Sequence, residues 1–66
     1  MFREYREKLK LTQEQLAELC NMSWRQIERI ENGKAIPTLE SFNKLITVLK
    51  TPDKIVIKYI KSINTK

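Results

Sequence analysis

The sequence predicts an all-α fold, on three observations. Thr12 is followed three residues later by Gln15, and Ser23 three residues later by Gln26. Both fit the Ser/Thr-x-x-Glu/Gln capping box, which satisfies orphan N–H groups at a helix start. A helix therefore begins twice within twelve residues. Apolar residues follow each start at helical spacing: Leu16, Ala17 and Cys20 make one face, Ile27 and Ile30 another. Gly33, the only glycine, stands just past the second pattern, where a left-handed residue closes a helix. Leu11 to Pro37 thus reads as two short helices closing on each other around the small Ala17, a helix-turn-helix.

The elements follow in order. A first helix over about 2–10 carries Phe2, Tyr5 and Leu9 inward and Arg3, Glu4, Glu7 and Lys8 outward, and Leu11 closes over its end. The second helix, about 13–20, keeps Cys20 on its inner face as a small buried hydrophobe. In the third, about 24–31, burial of Ile27 and Ile30 turns Trp24, Arg25, Glu28 and Arg29 away from the core. Asn32-Gly33 ends it, and Ala35, Ile36 and Pro37 lead the chain away. Thr38 caps a fourth helix, about 39–49, with Glu40 in its first turn and a core-facing stripe of Leu39, Phe42, Leu45, Ile46 and Leu49. Thr51-Pro52-Asp53 marks a further start with proline at the first helical position.

The last stretch, about 52–63, supports two readings. Val56, Tyr59, Ile60 and Ile63 make a helical face, whereas Ile55, Ile57 and Tyr59 alternate as a strand would, with β-branched residues to match. The Thr-Pro-Asp start favours a helix. Either way the segment holds more apolar residues than one core-facing stripe uses, which makes Ile55 and Ile57 candidates for a dimer contact.

Composition narrows the function. Sixty-six residues are expected to form one domain, of a size that buries only about 60% of its unfolded surface, so dimerisation would help it. Hydrophobic content of 41% and charged content of 32% describe a globular chain, with no apolar run near the length of a membrane span. Met1 leads directly into charged, periodic sequence, so no secretory signal is expected and a cytoplasmic setting fits best. One cysteine and no histidine leave no internal disulfide and no metal site of ordinary ligand spacing. With no glycine-rich phosphate loop either, a non-enzyme without cofactor is expected. The formal charge of +5 favours an anionic partner.

Gln13, the Leu16-Ala17 pair, the turn residue Asn21, Ser23, Ile27, Ile30, the Glu31-Asn32-Gly33-Lys34 run and Pro37 together resemble the DNA-binding domain of phage repressor and Cro-type (Xre-type) transcription regulators. A weaker likeness extends over Phe2 to about Leu49. The resemblance implies a compact five-helix bundle of the lambda-repressor-like type, with helix-turn-helix at 13–31 and a helix as fifth element. It implies that Gln13, Asn32 and Lys34 touch phosphate, and that Arg6 pairs with Glu31, a glutamate whose place in a last helical turn needs compensation. The family often has glycine where Lys10 and Asn21 stand. Asparagine tolerates the left-handed turn, so Lys10 is the less comfortable residue.

In a helix-turn-helix the first residues of the recognition helix enter the major groove. Arg25 and Arg29 are the best candidates for base contacts, since arginine reads guanine O6 and N7 with two parallel bonds. Glu28 is placed to steer Arg25, to accept from cytosine N4, or to remain in solvent. Ser23 caps the helix and lies within reach of phosphate, as does Gln26, whose first duty is the cap. Trp24 stands where many relatives have a polar residue. It can pack on a thymine methyl or along the sugar-phosphate wall, fold back onto the domain, or enter a protein interface.

The expected function is a sequence-specific regulator, acting as a repressor that binds double-stranded DNA as a homodimer on a pseudo-palindrome and controls transcription by occupancy alone. The rival is a DNA-binding antitoxin or other interaction module whose main partner is a protein. A basic bundle on anionic membranes is disfavoured, because the sequence offers charge without the needed apolar helix face.

Overall fold

The computed structural model describes residues 1–64. Within them the chain forms α1 (Phe2–Lys8), α2 (Gln13–Leu19), α3 (Trp24–Glu31), α4 (Leu39–Leu49) and α5 (Asp53–Asn64), with no strand among the described residues. The final segment is thus helical. Three starts are set by side chains. Thr12 and Ser23 accept from the backbone N–H of Gln15 and Gln26, whose side chains accept in return from the two cap residues, and Thr38 accepts from Ser41 N–H.

The first four helices end in one way. In each, a residue with positive φ turns the chain, and the N–H of the next residue donates back across six residues: Leu11 to Arg6 O, Met22 to Ala17 O, Lys34 to Arg29 O and Thr51 to Ile46 O. This is the Schellman closure, which satisfies carbonyls left over at a helix end. The turning residues are Lys10, Asn21, Gly33 and Lys50, at φ between 54° and 73°. Around Gly33 nothing lies within 4 Å of where a Cβ would stand, so backbone conformation and not space selects glycine there.

Phe2, Leu16, Ala17, Cys20, Ile27, Phe42, Leu45 and Leu49 form the buried core. α2 supplies its centre, and half-buried Tyr5, Leu11, Met22, Ile30, Ile46, Val56 and Tyr59 pack around it. Three rings tie α1, α4 and α5 together: Phe2 meets Phe42 and Tyr59 edge-on, with centroids 6.1 and 5.1 Å apart, and Phe42 stacks on Tyr59 at 5.5 Å. Such pairs add about 0.5–1.5 kcal/mol each beyond area burial. Of the described helices α5 alone contributes no fully buried residue to the core; it attaches through Tyr59 in this aromatic cluster and through half-buried Val56.

Four expectations need correction. α1 stops at Lys8, because the Lys10 turn begins there, and Leu9 is exposed while Leu11 covers the helix end. Leu39 is 84% exposed. It lies one turn before Phe42 on the same stripe, on an open groove shared with Ile60 and Ile63 of α5, which leave it uncovered. Ile30 is half-buried rather than buried. Pro52 precedes α5, its carbonyl accepting from Ile55 and Val56 N–H, and Asp53 is the first helical residue.

Candidate nucleic-acid interface

α2 and α3 pack on each other through Leu16, Ala17, Cys20 and Ile27, all nearly inaccessible. Burial pushes the Cys20 thiol up, with Lys44 opposing weakly, so this cysteine is a filler and not a nucleophile. With Ile27 fixed inward, α3 presents Trp24, Arg25, Gln26 and Arg29 to solvent, and Glu28 is half-buried. Arg25, in the first turn, makes no hydrogen bond or ion pair with any described residue. Arg29 Nη2 reaches the Lys34 carbonyl at 3.4 Å, which draws it toward the C-terminal end of the helix. Glu28 makes no ion pair with Arg25 among the described residues. In that pair the acid follows the base, the weaker order on a helix.

Beneath this surface lies Glu31. Its side chain is 1% exposed and Arg6 meets it directly: Arg6 Nε donates to Oε2 at 2.7 Å and Nη2 to Oε1 at 3.1 Å, while Nη1 donates to the Leu11 carbonyl at 2.8 Å. Gln13 Nε2 donates to Oε1 at 3.0 Å and Arg3 Nε reaches it at 3.5 Å. Burial by itself would raise the Glu31 carboxyl. The hydrogen bonds from Arg6, Gln13 and Arg3 with the Arg6 charge outweigh it, and the group is held below the usual carboxylate range. The same contact raises Arg6 above its ordinary value. One carboxylate therefore ties α1, the start of α2 and the end of α3 together.

Gln13 is half-buried, and both ends of its amide are engaged. Opposite the bond to Glu31, Gln13 Oε1 accepts from Trp24 Nε1 at 3.0 Å. The indole thus folds back onto α2 while remaining 49% exposed. Gln26 Oε1 accepts from Ser23 N at 2.9 Å, so the cap occupies its carbonyl, and Ser23 Oγ accepts from Gln26 N at 3.2 Å. Asn32 Oδ1 accepts from Arg3 Nη2 at 3.0 Å, and Lys34 stands exposed past Gly33.

Arg3 faces outward, 52% exposed, as its place on α1 predicts, and its reach to Glu31 and Asn32 is an addition. It stands one turn before Arg6 on α1, and that spacing, with Glu31 and Asn32 adjacent in sequence, is the signal that two arginines reach one helix end. Ile55 is half-buried in a groove beside Met1, Tyr5 and Tyr59, whereas Ile57 is exposed. A second apolar surface lies elsewhere: Ile36, Pro37, Leu39, Phe42, Tyr59, Ile60 and Ile63 line one open groove of about 290 Å³.

Two capped helices around a small residue, the second displaying arginine at its free N-terminal turn, define a helix-turn-helix protein. The model of the helix-turn-helix family matches residues 2–55, and the chain belongs to this family of Cro/C1-type, Xre-like DNA-binding regulators. No curated protein matches the chain, and no solved structure does. No helix among the described residues is long and apolar enough to cross a membrane.

Proposed function

We propose that the chain is a sequence-specific transcriptional repressor that works in the cytoplasm and binds a pseudo-palindromic operator as a homodimer. The observation that carries this is Arg25: a guanidinium in the first exposed turn of α3 with no partner among the described residues, on a helix held by a cap at one end and by Glu31 at the other. Arg25 and Arg29 read guanine, and Glu28 tunes the neighbouring base. Ser23, Gln26, Asn32 and Lys34 touch phosphate around them. Gln13 joins the backbone contact only through its position, since its amide is engaged within the protein.

Dimensions and apolar exposure support the dimer. The chain is 31 Å in its longest extent, and half-sites of such operators lie about 34–36 Å apart, so two copies are needed to fill two successive grooves. The exposed apolar residues suited to a second copy are Ile36, Leu39, Ile60 and Ile57, and Ile55 serves the α1 side instead. A protein partner on this face is the rival reading.

Selection of a randomised duplex library at physiological salt tests the proposal. A two-fold motif with half-sites about ten base pairs apart supports it. Arg25→Ala or Arg29→Ala should then flatten preference at single base pairs, whereas Lys34→Ala should weaken all sequences alike and lower the salt dependence. A folded protein that enriches no motif would overturn it.

A further inference from the structure

We propose, resting on the DNA-binding reading above, that Trp24 is a specificity-determining residue that reads a C5-methyl group in the major groove, that of thymine or of 5-methylcytosine. An indole has one hydrogen-bond donor and no acceptor. In Trp24 that donor is already used, Nε1 donating to Gln13 Oε1 at 3.0 Å. Gln13 is fixed in turn, because its Nε2 donates to Glu31 Oε1 at 3.0 Å and Glu31 is buried against Arg6. Reversing the amide would set its NH₂ against the indole N–H and its oxygen against a carboxylate, losing both bonds. The ring is therefore held at the first position of α3, with about half its surface open.

What Trp24 then offers a base edge is apolar. Guanine presents O6 and N7, adenine N7 and an amino group, cytosine an amino group. Each would lose a water partner against the ring and gain no bond, which is costly for a desolvated polar group. Thymine carries a methyl on its major-groove edge, and 5-methylcytosine carries the same methyl on the same carbon. Covering one methyl is worth about fourfold in affinity, from roughly 0.8 kcal/mol per buried carbon and 1.4 kcal/mol per tenfold.

The test uses the full chain and the operator recovered by selection. Each thymine is replaced singly by deoxyuridine, which removes the methyl and keeps the base pair. Wild type should lose about fourfold at one thymine per half-site, and Trp24→Ala should show no sensitivity there. Trp24→Phe, which keeps a ring without the N–H, should retain part of it. Placing C:G and then 5-methyl-C:G at that position separates the two methyl sources: recovery with the methylated pair, in wild type only, shows that the methyl itself is read. Equal deoxyuridine profiles for wild type and Trp24→Ala would overturn the proposal, as would a Trp24→Ala loss uniform over all sequences, the mark of a ring against the sugar-phosphate wall. Failure of the unmodified operator to bind selectively would overturn the DNA-reading proposal itself and this one with it. Circular dichroism melting of each variant verifies that the fold is kept.

Discussion

Arg6 and Glu31, twenty-five residues apart, share two hydrogen bonds at a point where the glutamate is almost closed to solvent. Breaking a buried pair from one side leaves a charge without compensation and costs about 3–5 kcal/mol. Arg3 and Gln13 still reach Glu31, so Arg6→Ala should fall at the lower end of that range. A domain of this size has only about 3–10 kcal/mol in all. Thermal or urea unfolding of Arg6→Ala should therefore show loss of a large part of its stability. The double replacement Arg6→Met with Glu31→Leu, which removes both charges, should recover most of it. An unchanged melting temperature in Arg6→Ala would remove the pair from the account of the fold.

The same carboxylate predicts an acid limit. Glu31 lies below the usual carboxylate range in the folded protein, against the effect of its burial. A group lowered in the folded state binds fewer protons there than in the unfolded chain, so its contribution is complete above the unfolded value and is lost as pH falls through the folded one. Stability should decline below about pH 4 more steeply in wild type than in Glu31→Gln. Melting curves across pH 2–7 measure this, and equal slopes for the two proteins would refute it.

Lys10 and Lys50 hold a left-handed conformation that costs a side-chain-bearing residue roughly 1–2 kcal/mol, part of which glycine returns through its freer unfolded chain. Lys10→Gly and Lys50→Gly should each stabilise by about 0.5–1 kcal/mol, raising the melting temperature by about 2–8 °C. Asn21→Gly should gain less, because asparagine tolerates this region. Gly33→Ala should lose about 1 kcal/mol through strain alone, since no atom would clash with the new methyl. A fall in melting temperature for both lysine replacements would mean that their side chains make compensating contacts.

How much was legible in the sequence differs by kind of signal. The capping boxes at Thr12 and Ser23 are local patterns, decided within four residues, and the helix starts follow from them. The end of α1 is less legible, because a lysine does not itself signal a positive φ, and the hint at Lys10 comes only from the resembled family's glycine there. Periodicity gives the direction of the α4 stripe but not its coverage: Leu39 shares the stripe with Phe42, yet the neighbouring Ile60 and Ile63 leave it exposed. Gln13 illustrates the limit most clearly. Its role as a link between Trp24 and Glu31 depends on three side chains from separate helices, a coincidence that no spacing along the chain encodes.

Leu39 offers the last prediction. At 84% exposure it adds little to the folded monomer, so Leu39→Asp should change monomer stability by no more than about 0.5 kcal/mol. It stands beside Phe42 and Ile60 on the open apolar groove, and two copies meeting there would each place an aspartate into the other's apolar surface. Sedimentation at tens of micromolar should therefore show wild type as a dimer and Leu39→Asp as a monomer with an unchanged melting profile at low concentration. On the operator, the variant should occupy half-sites independently where wild type protects both together. Ile57→Asp should weaken the dimer less, since Ile57 is exposed but does not line that groove, and Ile55→Asp should act mainly on folding, because Ile55 packs beside Tyr5 and Tyr59. A wild-type monomer that still protects both half-sites together would place the contact between copies on another face or in the DNA itself.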